Sequence, residues 1–165
     1  DYYASRGLGD VYKRQIIKHM NNLFMQKAID EALCAGNEIP VGAVIVKNGN
    51  IIAIEHNQKE ALNDVTAHAE ILALRNASKE LHSWRLNGCD LYVTLEPCPM
   101  CLWAIIQSRI DNLYFGSYDS LYGAISTMPH MISFSNSKIK YKGGIMEQEC
   151  DLVLKNYFKR IREEK

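Results

Sequence analysis

Two short strings constrain this chain more than anything else in it: Thr66-Ala67-His68-Ala69-Glu70 and Glu96-Pro97-Cys98-Pro99-Met100-Cys101. Between them they offer one imidazole, two thiols and two carboxylates. A zinc ion held by three protein ligands keeps its fourth position open for water, whereas a structural zinc site closes that position with a fourth side chain. His68, Cys98 and Cys101 supply three donors, and Glu70 is a carboxylate that a structural site does not require. A fold that uses this donor set must bring two distant segments to one point.

Local spacing suggests how. Cys98 and Cys101 stand three apart, which on a helix places them on one face. Pro99 suits the first turn of a helix, where its missing N–H is not needed. Both thiols then lie at a helix N-terminus, where free N–H groups and the macrodipole favour thiolate, the form that binds zinc. His68 and Glu70 stand two apart, and deep inside a helix they would point roughly 200° away from each other. They reach one site only if His68 lies in the first turn or just before it. Thr66 is the expected N-cap, with the apolar run Ala67, Ala69, Ile71, Leu72 and Leu74 behind it. Two helix N-termini are thus expected to face one metal ion. The rival reading is a structural site with Cys89 or His82 as fourth ligand.

Elsewhere the pattern alternates between strand and helix. Leu23, Ala28, Ile29, Ala32 and Leu33 recur at helical spacing, with Gly36 as a stop. Val41–Lys47 and Ile51–Glu55 are β-rich runs joined by Asn48-Gly49-Asn50, a hairpin signal. A helix to about Leu81, a strand over Asp90–Leu95, a helix over Pro99–Gln107 and a strand over Asn112–Phe115 follow. Loop with short helical pieces is expected over Ser117–Ser137, a short strand over Ile139–Lys142, and a closing helix over Glu147–Arg162. This order predicts an α/β domain of three layers, a mixed sheet covered by helices.

Bulk properties exclude some classes. The 165 residues suit one domain. A net charge of zero gives no global pull toward nucleic acid, so any RNA surface must come from local clustering. No apolar run approaches the roughly 20 residues of a membrane span. Cys34, Cys89 and Cys150 read as buried free thiols, which suits a reducing cytoplasm. Asp1–Gln15 has no apolar core of a signal peptide and no helical periodicity. Gly9–Gln15 resembles a translated sequencing adapter, so residues 1–19 are expected to be a non-native or disordered leader, with the natural start at Met20.

The two strings also carry a family. H-x-E followed by P-C-x-x-C is the signature of the zinc nucleobase deaminases. From about Met20 to Lys165 the chain resembles the tRNA-specific adenosine deaminases of the cytidine deaminase-like superfamily. Glu38–Val44, Thr66–Ile71, Thr94–Cys98, Ser108-Arg109-Ile110, Phe115-Gly116 with Asp119, Gly123-Ala124, Glu149-Cys150 and Tyr157–Arg160 carry the likeness. Leu121 stands where the family often has lysine, and Trp103 where a small residue is common.

The resemblance implies a three-layer α/β/α fold with a central mixed five-stranded sheet, and a zinc-dependent deaminase domain over residues 20–165. It implies hydrolytic deamination of adenosine to inosine in the anticodon loop of tRNA, at the wobble position, with one zinc ion per chain on His68, Cys98 and Cys101. Glu70 is then the proton carrier and Asn57 a base contact. Ala69 and Pro97 would line the pocket through their backbone, and Asp119 would meet the ribose of a flanking nucleotide. A homodimer is implied as well. Tyr157, Phe158, Lys159 and Arg162, with Lys155 and Arg160, form a basic aromatic cluster suited to single-stranded RNA, although a solvated helix end has the same composition. Lys138, Lys140 and Lys142 are a weaker basic candidate, equally readable as the outward face of a strand. A free guanine or cytosine deaminase of the same fold is the alternative, and a non-catalytic, zinc-stabilised RNA-binding module a further one.

Overall fold

The structure, a computed structural model, describes residues 2–165. Helix α1 (Tyr2–Ala32) and a 3₁₀ turn (Leu33–Ala35) lead into strands β1 (Gly42–Lys47) and β2 (Asn50–His56). Helix α2 (Ala69–Glu80), strand β3 (Cys89–Leu95), helix α3 (Pro99–Gln107) and strand β4 (Asn112–Ser117) follow. Two short helices, α4 (Ala124–Thr127) and α5 (His130–Phe134), precede strand β5 (Lys140–Lys142) and the closing helix α6 (Glu147–Glu163).

The five strands form one sheet in the order β2-β1-β3-β4-β5. β1 pairs antiparallel with β2 and β3, and β4 runs parallel to both β3 and β5. The hairpin turn is the expected one: Asn48 and Gly49 both take positive φ, 50° and 76°, as a two-residue turn between twisted strands requires. Successive strand residues face opposite sides of a sheet, and here each side meets its own helical layer. Ala43, Ile45, Leu91, Val93, Leu113 and Phe115 share one buried cluster with α2 and α3 residues such as Ala73 and Ile105. Val44, Val46 and Tyr92 share the other with Phe24, Met25 and Ala28 of α1 and Cys150 of α6. The three-layer α/β/α arrangement expected from the sequence is present.

The N-terminal segment departs from expectation. It was expected to lack helical order, yet α1 is one continuous helix from Tyr2, and Met20 falls within it. Among the described side chains, packing begins near Met20. Phe24, Met25, Ala28, Ile29 and Ala32 are buried at helical spacing, whereas Val11, Tyr12, Ile16 and Ile17 are exposed. A helix that buries no stripe needs no apolar periodicity, so the pattern carried no signal there.

For the site, the central fact is where α2 and α3 begin. Both pack on the same face of the sheet. α3 starts four residues beyond the end of β3, immediately after Glu96-Pro97-Cys98.

Candidate active site

The two helix starts have the same construction. His68 is the N-cap of α2, with φ −73° and ψ 151°, and Cys98 is the N-cap of α3, with φ −69° and ψ 169°. Each is extended, and its carbonyl accepts the first intrahelical hydrogen bond, from Leu72 at 3.0 Å and from Leu102 at 2.8 Å. Neither uses its side chain to cap its helix, which leaves the imidazole and the thiol available. Cys101 and Glu70 follow in the first turns of α3 and α2, both buried.

Thr66 is not the N-cap. Its N–H and Oγ both donate to Asp64 Oδ1, at 2.8 and 2.7 Å, so it belongs to the turn before the helix. The side-chain cap of α2 comes from a distance: Asn57, just past the end of β2, accepts from the Ala69 N–H at 2.9 Å through Oδ1 and donates to the Ile39 carbonyl at 3.0 Å.

Among the described residues, the group with metal-ligand geometry is His68, Cys98 and Cys101, whose donor atoms all lie within 4.8 Å of one another. His68 Nδ1 is 3.7 Å from Cys98 Sγ and 3.5 Å from Cys101 Sγ. Zinc bonds of about 2.3 Å to sulfur and about 2.0 Å to nitrogen, at tetrahedral angles, require a separation of about 3.5 Å. The donor set therefore fits zinc without rearrangement. Cys89 lies at the far end of β3, about 20 Å of strand from Leu95. His82 lies beyond the C-terminus of α2, about 18 Å of helix from its start. The structural four-ligand reading thus loses both of its candidates.

The titrations of the same groups are linked. The hydrogen bond from Cys101, aided by that from His68, lowers the Cys98 thiol to about 4, whereas the Cys101 thiol, bonded to Cys98 and buried, is raised. A thiolate on Cys98 lies at the N-terminus of α3, where the macrodipole favours negative charge. The contact with Cys98 raises His68, against the effect of burial. Glu70, only 4% exposed, is pushed up to about 7 by burial. His68, Cys98 and the buried Glu70 form the floor of a cavity of about 590 Å³, whose walls include Glu38, Asn57, Glu96, Asp119, Tyr122 and Tyr157, while Cys101 is fully buried and does not reach the wall.

Residues 18–117 match the family described as the cytidine and deoxycytidylate deaminase zinc-binding region. The tRNA-specific adenosine deaminase of Bacillus subtilis (strain 168) is 41% identical over 149 residues, which cover 88% of this chain and 92% of that protein. The chain belongs to the tRNA-specific adenosine deaminases. A solved structure from a study of A-to-I editing by tRNA:A34 deaminases matches with a TM-score of 0.76 at 44% identity, covering 79% of this chain and 98% of that one. A guanine deaminase from Bacillus subtilis matches with a TM-score of 0.56 at 43% identity, covering 58% of this chain and 63% of that one.

The other expected site residues of this deaminase divide into three groups. Asn57 and Asp119 line the cavity, but both are already engaged. Asn57 holds Ala69 and Ile39, and Asp119 Oδ1 accepts from the N–H groups of Leu121 and Tyr122, each at 3.0 Å. Ala69 and Pro97 are not in the cavity wall. The Ala69 N–H is taken by Asn57, and the Pro97 carbonyl accepts from the Ala124 N–H at 2.8 Å.

The C-terminal cluster does not form one patch. Tyr157 lines the cavity and donates from its hydroxyl to the Asn37 carbonyl at 3.0 Å. Arg160 lies over its ring and donates to the Gly36 carbonyl. Phe158, Lys155 and Arg162 line a separate groove with Asp151 and Leu154, and Lys159 pairs with Glu163 at 3.9 Å. Neighbours on a helix diverge by about 100°, so a run that is contiguous in sequence is divided between faces.

One residue of consequence belongs to no ligand or substrate motif. Glu96, 2% exposed, accepts from the Ser126 Oγ at 2.6 Å, the Ser126 N–H at 2.9 Å and the Asp119 N–H at 3.4 Å. A Cβ on Gly123 would lie 2.0 Å from its Oε2, so only glycine lets the chain pass this close. The available signal was a carboxylate in an otherwise apolar strand end, next to the ligand string; a buried carboxylate requires partners.

Proposed function

We propose that this chain hydrolyses the exocyclic amine of adenosine in tRNA, at the wobble position of the anticodon, releasing ammonia and leaving inosine. The observation that carries this reading is the convergence of His68, Cys98 and Cys101, with His68, Cys98 and the buried carboxylate of Glu70 lining one cavity. The likeness to the tRNA-specific deaminases supplies the substrate class. His68 Nδ1 and the two sulfurs would hold zinc, which when bound supplies a water acidified to near neutral pKa. Glu70 accepts a proton from the attacking water and delivers it to the purine ring nitrogen; it then takes the second proton from the added hydroxyl and passes it to the amine, which leaves as ammonia as the carbonyl of inosine forms. Its burial keeps bulk water from competing for these transfers. The target base must leave its stack to reach Glu70, so a loop nucleotide is the fitting substrate. Asn57, Asp119 and Tyr157 are the assigned contacts in the cavity, with Lys159 and Arg162 near the phosphates.

A second copy of the chain is the partner assigned to the outer face of α2 and α3. A groove there, lined by Ile71, Leu74, Ala104 and Trp84, is open to solvent, with Trp84 54% exposed. No helix among the described residues is long and apolar enough to cross a membrane. All five cysteines are unbridged, which supports a cytoplasmic setting; Cys89 and Cys150 are buried as expected, whereas Cys34 is exposed, because it lies in the turn after α1 and not on its packed face.

The test is to incubate the zinc-loaded protein with an anticodon stem-loop carrying a wobble adenosine, and separately with free adenine, guanine and cytosine. Inosine in the stem-loop is expected. Ammonia from guanine or cytosine with none from RNA would overturn the assignment. Zinc-dependent stability with no ammonia from any of these would indicate a binding module. Light scattering checks the dimer.

A further inference from the structure

At the mouth of the cavity, an exposed ring is mounted on a fixed backbone. Tyr122 lines the cavity together with His68, Glu70 and Cys98, yet it is 71% exposed where Glu70 is 4%. It therefore stands at the opening while the carboxylate stands at the floor. Its backbone is not free: Asp119 Oδ1 accepts the Tyr122 and Leu121 N–H groups, and the Asp119 carbonyl accepts the Gly123 N–H at 3.0 Å. Both ends of the turn are tied to the buried Glu96, through the Asp119 N–H and through Ser126. Among the described residues no aromatic pair includes Tyr122.

An exposed aromatic usually costs solubility without a return, and a ring carried on a fixed backbone has only its two side-chain torsions to order when something covers it. The segment Ser120–Thr127 contains no Lys or Arg, so it offers no ion pair to phosphate. What it offers is a flat neutral surface. Every base has a π face, and stacking of a base on an aromatic side chain is the sequence-tolerant way to hold an unpaired nucleotide.

We propose that Tyr122 is a stacking platform for the base of a nucleotide adjacent to the target adenosine, held at the cavity mouth by the turn that Glu96 and Asp119 brace. This rests on the RNA reading above, because a free base has no neighbour to stack. Stacking of this kind is worth roughly a 5- to 150-fold change in affinity per base.

The test is a coupling measurement on wobble-adenosine stem-loops. kcat/KM is compared for the parent, Tyr122→Ala and Tyr122→Phe, each with the intact loop and with an abasic residue on the 5′ or the 3′ side of the target. Tyr122→Ala is expected to lose about 10-fold or more, mainly in KM, and Tyr122→Phe to stay within about twofold. On one side the abasic residue should cost the parent a similar factor and cost Tyr122→Ala little more. The slope of log KM against log salt should be unchanged in Tyr122→Ala, because no phosphate contact is removed. Equal abasic penalties in parent and variant on both sides, with the parent active, overturn the platform and leave the RNA reading standing. A parent inactive on every stem-loop overturns both. A variant that fails to bind zinc or melts early is replaced by Tyr122→Leu, which keeps bulk but not the flat face and is expected to lose the same coupling.

Discussion

The floor and the mouth of the cavity are built by opposite strategies. At the floor, His68, Glu70, Cys98 and Cys101 come from two helix starts, with Glu70 and Cys101 buried. At the mouth, Asn37, Lys59, Tyr122 and Tyr157 come from four separate parts of the chain. The floor is rigid because helix geometry and a packed sheet fix it. The mouth is held largely by side-chain tethers, of which those on Glu96 and Asp119 are the most concentrated. The chemistry therefore depends on backbone that resists substitution, and the choice of substrate on tethers that single substitutions can release.

The largest expected effect lies at the floor. Glu70→Ala removes the proton carrier and none of the three metal donors. Turnover should fall by about 10²–10⁴-fold, the usual contribution of positioned proton transfer, with zinc content and stem-loop affinity unchanged. Loss of zinc in this variant would instead make Glu70 a ligand. If turnover persists, the carboxylate is a structural group and the floor is not the reaction centre.

Next comes the tether. Glu96→Ala leaves the Ser126 N–H and hydroxyl and the Asp119 N–H without their buried acceptor. Hydrogen bonds to a charged group are worth about 1.5–3 kcal/mol each, with compensation by water for some of them. A loss of about 3 kcal/mol, or about 6–12 °C in Tm, is expected. Zinc binding should survive, and KM for the stem-loop should rise more than kcat falls. An equal fall in kcat with KM constant would mean that floor and mouth are one unit and the contrast between them is false.

How much of this was legible in the sequence follows the same division. α3 was expected over Pro99–Gln107 and is found there, because a proline at the first turn marks a start locally. The start of α2 was misplaced at Thr66, because the residue that caps it, Asn57, comes from the end of another element, and Asp64 uses Thr66 for a turn of its own. The N-terminal part of α1 gives no periodic signal, because residues 9–20 are all exposed. The C-terminal cluster looked like one surface in the sequence, and helix rotation splits it between Tyr157 in the cavity and Phe158 in another groove. Signals that act over one helical turn were readable, and tethers that join distant segments were not.

Asn57 tests that distinction at a smaller scale. If its work is to cap α2 and hold Ile39, Asn57→Ala should cost about 1 kcal/mol, the usual value of a lost N-cap, or about 2–4 °C in Tm. As a base contact as well, it should also raise KM on the stem-loop. Calorimetry with kinetics on the same variant separates the two roles: an unchanged KM confines Asn57 to the floor as a support.

The smallest effect lies in the turn that delivers His68. Asp64 accepts two hydrogen bonds from Thr66 and lies 3.6 Å from Arg75. The Thr66 hydroxyl above all, then its N–H, holds the Asp64 carboxyl below its ordinary value of 3.8. The folded state thus binds a proton less readily here than the unfolded chain does. The resulting stability is present above about pH 3.8 and is lost as pH falls through the lower folded value. The group is open to solvent, so the effect is small. Asp64→Asn should lower Tm by about 2 °C or less at pH 7, and its melting curve should converge with the parent's as the pH drops below 3.8. A difference that persists undiminished at pH 2 would place the effect in the shape of the turn and not in the charge, and the delivery of His68 would then owe nothing to electrostatics.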